Sequence, residues 1–169
     1  MRQDPDTRAN ERDALAQYLD YQRETVLLKA EGLNQEQLAQ RIPTSALTLA
    51  GILYHLALNE ESWMEVRFLG LPEREEWAGV DWDADPDWEF RTATTMAPDE
   101  LRERYRAACD RSRQAAAAAG GLDQMSVFKG DNDWQFSLRW VLLHLIEETA
   151  RHAGHADLLR EAIDGTVGE

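Results

Sequence analysis

The stretch HLIEETARHAGH at residues 144–155 holds His144, His152 and His155, three of the four histidines in the chain, with Glu148 set between them. Imidazoles and carboxylates are donors for a divalent cation, and imidazole is also the group that moves protons near neutral pH. At about 100° per residue around a helix, with His144 at zero, Glu148 falls near 40°, His152 near 80° and His155 near 20°. All four therefore share one face. The apolar residues of the same segment, from Leu138, Val141, Leu142 and Leu145 to Ala153, Ala156, Leu159 and Ile163, span an arc of about 60° to 180°. The polar cluster overlaps the edge of that arc. A carboxylate buried there needs a cation or hydrogen-bond donors, because an unpaired buried charge costs several kcal/mol.

The fourth histidine, His55, stands in LAGILYHLALNEESW, beside the side that carries Ile52, Leu56 and Trp63. If the helices bearing His55 and Glu148 are neighbours, His55, Glu148 and His152 converge as two nitrogens and one carboxylate oxygen. Three protein ligands leave a position open, the arrangement of a catalytic rather than a structural zinc site. His155 and His144 then serve as a proton relay or as supports for the ligands, with His155 also available as a fourth donor. Plainer roles exist for each of these groups: a histidine at a core margin is commonly just hydrogen-bonded, and Glu148 can pair with Arg151. A di-iron site calls for Glu-x-x-His pairs, yet Arg151 follows Glu148 by three and Met64 follows Glu61 by three. The HExxH pattern is absent.

These residues need helices to position them, and four long segments have helical character while none alternates as a half-buried strand does. The pattern predicts an all-α chain: a first helix from about Asp6 to Glu31, a short turn at NQEQLAQR, and a second helix from about Ser45 to Leu69. A third starts at Pro98 and continues to Gly120, and a fourth runs from Ser137 to about Ile163. Residues 71–97, with Trp77, Trp82 and Trp88 among acidic residues, are too long for a tight turn and too aromatic for a solvated linker, which predicts an ordered crossover over the bundle. Four helices with one long connection fit a four-helix bundle whose sites are built from facing side chains.

With 169 residues and 43% hydrophobic content the chain suits a single domain, residues 1–169. Its net charge of −14 argues against nucleic acid and anionic membranes as partners. The negative mean hydropathy and the polar start, MRQDPDTRAN, point to a soluble, cytoplasmic protein. The lone cysteine, Cys109, cannot form an internal disulfide and reads as an ordinary helix residue.

The segments SLRWVLLHLIEETARHAGHADLLREAIDG and LTLAGILYHLALNEESWM resemble the DinB/YfiT-like superfamily of metal-dependent enzymes, in the branch related to mycothiol-dependent maleylpyruvate isomerase. The resemblance implies a four-helix bundle of up-down-down-up connectivity, with the long crossover between helices two and three. It places the family's ligands on His55, Glu148 and His152. Many DinB-like members have histidine at the earlier position of the final-helix pair, so Glu148 follows the isomerase-like version. Zinc suits this donor set best, with nickel, manganese or iron as alternatives. The implied activity is a thiol-dependent transferase or isomerase of small molecules using mycothiol or a similar low-molecular-weight thiol, in a chain that family analogy allows to dimerise. The competing expectation is a non-catalytic metal-binding or stress-related helical-bundle protein, which a crossover packed shut over the ion would favour.

Overall fold

The computed structural model describes residues 2–168 and is all-α: six helices, with two isolated bridges and no strand among those residues. Helix α1, Glu11–Lys29, begins later than the apolar pattern predicts. The Asn10 side chain accepts from the Asp13 amide and fixes the start, while residues 6–9 turn back so that the Asp6 amide donates to Gln17 Oε1 at 2.7 Å. Helix α2, Gln35–Leu38, is a single turn closed by a reciprocal capping box between Asn34 and Gln37.

Helix α3, Leu49–Glu60, starts after Thr48, whose hydroxyl accepts from the Gly51 amide at 3.0 Å. Ser45, the expected start, instead sits in a bridge with Ile42. The helix continues directly into a wider π-helical stretch, Glu61–Phe68, which periodicity does not foretell. It stops at Gly70, where φ is +72° and an added Cβ would lie 2.5 Å from the Val127 side chain. Only glycine meets both demands.

The crossover is ordered, as expected, and contains a helix of its own, α4, Trp88–Ala93. Helix α5, Pro98–Ala118, opens on proline, and α6, Leu138–Asp164, runs from the Ser137 cap to Gly165 in the left-handed conformation.

Helix α1 packs along α6, while α3 lies against α5, α4 and α6. Ile52, Leu53, Leu56, Leu101 and Leu145 are sealed from solvent, each such side chain contributing about 1.5–3 kcal/mol through its buried apolar area. Two ion networks interrupt this core. Arg23 of α1 donates twice to Glu60, at 2.7 and 2.6 Å, with both side chains buried. One residue on, Glu61 receives Arg104, Arg111 and the Trp77 indole. The contact between α3 and α6 sets the site, because it brings His55 to the face carrying Glu148 and His152.

Candidate metal centre

His55 is positioned by a close approach one turn earlier. A Cβ on Gly51 would lie 2.7 Å from Phe90 Cδ1, so the absence of a side chain there lets α4 settle onto α3. The Phe90 ring stacks on His55 with centroids 5.5 Å apart, and the adjacent Glu89 places Oε1 2.7 Å from His55 Nδ1. That contact fixes the tautomer: Nδ1–H donates to Glu89, and the lone pair on Nε2 faces α6.

On α6, Glu148 divides its two oxygens. Oε1 accepts from Arg151 at 2.8 Å, while Oε2 lies 3.9 Å from His55 Nε2 and 3.8 Å from His152 Nε2. One donor atom from each of His55, Glu148 and His152 falls within 4.8 Å of the others. A tetrahedral ion bonded at about 2.0–2.1 Å would set its donors about 3.3 Å apart, so small side-chain adjustments close this set around one cation. The donor chemistry also fits. Burial, followed by the neighbouring His55, His155 and Arg151, pulls the His152 pKa down to about 4, leaving a neutral imidazole at physiological pH.

Of the two remaining histidines, only His155 adjoins this group: its Nδ1 lies 3.4 Å from His152 Nδ1. His144 is held elsewhere, its ring stacked on Trp140 and 4.4 Å from the Trp63 ring, where burial lowers its pKa. Cys109 is buried beside Glu60, and both burial and that carboxylate push its thiol pKa far up.

Sequence reasoning did not single out Glu89 or Asn59. Asn59 Nδ2 donates to His55 Nε2 at 2.8 Å, and its position one turn after His55 was a visible signal. Glu89 gave none, being one acidic residue among many in an irregular segment.

Beside the cluster opens a cavity of about 320 Å³ lined by His55, Asn59, Ser62, Arg67, Trp77 and Trp82 together with the acidic residues Glu73 and Glu89. The crossover tryptophans thus wall a space next to the histidines and do not pack it shut.

A family model described as Mycothiol-S-transferase matches residues 14–165. The chain belongs to the mycothiol S-transferase family. A solved structure of a conserved protein from Enterococcus faecalis is similar across 94% of this chain and 99% of that one, with a TM-score of 0.67 and 14% identity. At that identity the likeness is one of fold. No curated protein matches the sequence. Within the mycothiol S-transferase family a small-molecule substrate is the expected partner. No described helix is long and apolar enough to cross a membrane.

Proposed function

We propose that the chain is a divalent-metal-dependent S-transferase in which His55, Glu148 and His152 hold the ion. The convergence of these donors from α3 and α6 beside an open cavity carries the reading. Zinc is the first choice for two imidazole nitrogens and one carboxylate oxygen, and manganese, nickel or iron are alternatives. The ion's chemistry would be to lower the pKa of a bound thiol and favour its thiolate.

The protein's own groups then have distinct tasks. Glu89 orients His55, and Arg151 orients Glu148 so that Oε2 faces the histidines. Asn59 must release His55 Nε2 for that nitrogen to bind an ion, which makes its amide a local competitor and afterwards a hydrogen-bond donor to ligand. His155, within reach of His152, is the nearer candidate to accept the proton that leaves the thiol. His144 belongs to the aromatic wall. In the transfer, the thiol sulfur forms a bond to the electrophilic carbon, the leaving group departs with its electron pair, and the thiol proton passes to the base. Cys109 takes no part, because it is buried and held protonated.

The alternative of a closed, non-catalytic metal site is less well supported, since the cavity gives small molecules access to His55. The test is elemental analysis of the untagged protein and of His55→Ala, Glu148→Ala and His152→Ala, followed by mycothiol consumption assays with electrophiles. Near-stoichiometric metal in the parent, lost in all three folded variants together with thiol transfer, is expected. A parent that binds no metal on titration would sink the reading.

A further inference from the structure

Arg67 differs from the arginines that gather around Glu60 and Glu61. Arg74, Arg104 and Arg111 all reach Glu61, and Arg23 reaches Glu60. Arg67 makes no ion pair among the described residues. Its guanidinium donates to the Ser62 hydroxyl and lies 4.6 Å over the Trp63 ring. Glu73, an exposed residue that lines the same cavity, acts on it through space without forming an ion pair. A partly desolvated cation without a carboxylate is a ready acceptor of an anionic ligand.

The π-helical stretch places it. On an uninterrupted α-helix, the twelve-residue separation would turn Arg67 about 120° away from His55. The wider turns of Glu61–Phe68 rotate less per residue and return Arg67 to the side of His55, Asn59 and Ser62, with which it lines the same cavity. Helical side chains point toward the N-terminus, so the guanidinium leans back along the cavity toward His55. The remaining gap between the two is on the order of 10 Å.

We infer that Arg67, with Ser62 beside it, anchors a carboxylate at the far end of an elongated electrophilic substrate whose reacting end lies at His55 and whose body rests against Trp77 and Trp82. The inference rests on the transferase reading of the same site and names the class of co-substrate: an organic acid.

The test is isothermal titration of the parent, Arg67→Gln, Arg67→Lys and His152→Ala proteins with 4-phenylbutyrate and with its uncharged amide. The parent should bind the acid at least about tenfold more tightly than the amide, as expected for a charge-assisted hydrogen bond. Arg67→Gln should lose that preference, Arg67→Lys should recover part of it, and His152→Ala should keep it. Mycothiol affinity should be the same in the parent and Arg67→Gln. Equal binding of acid and amide, undiminished acid binding in Arg67→Gln, or loss of acid binding in His152→Ala alone would overturn the assignment. So would a matching loss of mycothiol affinity in Arg67→Gln, or no acid binding by the parent at millimolar concentration. The failure of the transferase reading shows separately, as absent metal with the acid preference intact.

Discussion

Glu89 Oε1 lies 2.7 Å from Nδ1 of His55, although the two residues belong to helices separated by the π-helical stretch and most of the crossover. The carboxylate holds the proton on Nδ1 and turns the other nitrogen toward Glu148. If His55, Glu148 and His152 hold the ion as proposed, Glu89→Ala is therefore expected to weaken metal binding by about 10- to 100-fold while leaving those three side chains in place. Competition with a chelating dye measures this, and parent-like affinity in the variant would show that the contact is incidental.

Gly51→Ala sets two effects against each other. Alanine favours a helix interior over glycine by about 1 kcal/mol, while the new methyl would sit 2.7 Å from the Phe90 ring, and such overpacking costs about 1–3 kcal/mol. The clash is expected to prevail, because Phe90 is clamped between α3 and the neighbouring Glu89–His55 contact. The variant should unfold at lower urea concentration and bind metal more weakly.

The buried Arg23–Glu60 pair should respond unequally to single and double replacement. Arg23→Met leaves Glu60 buried without its partner, and breaking such a pair costs about 3–5 kcal/mol. Replacing Glu60 by glutamine in the same protein removes the orphaned charge and should restore much of the loss. Urea unfolding of the two single variants and the double variant gives the coupling directly.

Cys109 is expected to resist thiol reagents in the native protein and to react once per chain in denaturant. Its labelling rate should follow global unfolding, as burial at 1% exposure and a raised pKa both require. Rapid labelling of the folded protein would contradict this.

At the C-terminus of α6, hydrogen bonds from Thr166 and then from Arg160 lower the Asp164 pKa to about 2, against an ordinary value of 3.8. A depressed carboxylate adds stability that is complete above the unfolded value and disappears as pH falls through the folded one. Asp164→Asn should accordingly be less stable than the parent at about pH 5, and the two should converge near pH 2, as read from urea midpoints across that range.

The all-α fold and the ends of α5 and α6 were legible because Pro98, Ser137 and Gly165 are local signals that act within one turn. The starts of α1 and α3 were not, since Asn10 and Thr48 won the capping positions over Asp6 and Ser45 through hydrogen bonds that composition does not rank. Glu148 and His152 fall on one face because α6 keeps strict helical phase, and the packing of α3 against α6 brings His55 within reach of them. His144 was read onto the same face, yet Trp63 and Trp140 hold its ring apart from the cluster. Glu89 and Arg67 escaped notice for a shared reason: each reaches the cavity through an irregularity, a short crossover helix in one case and a π-helical stretch in the other.

That stretch also bears on how the chain can change length. A one-residue deletion inside a helix normally throws every later side chain out of phase, but within Glu61–Phe68 it would convert wide turns to ordinary ones and leave the helix continuous. Leu69 and the stop at Gly70 could follow with a modest rotation, while Arg67 would leave the cavity wall. Relatives that lack the wide turns should align with this chain only through a gap in mid-helix, and the residue facing their cavity there should differ in kind. If Arg67 anchors the substrate as inferred, such a deletion would alter substrate preference with His55, Glu148 and His152 untouched.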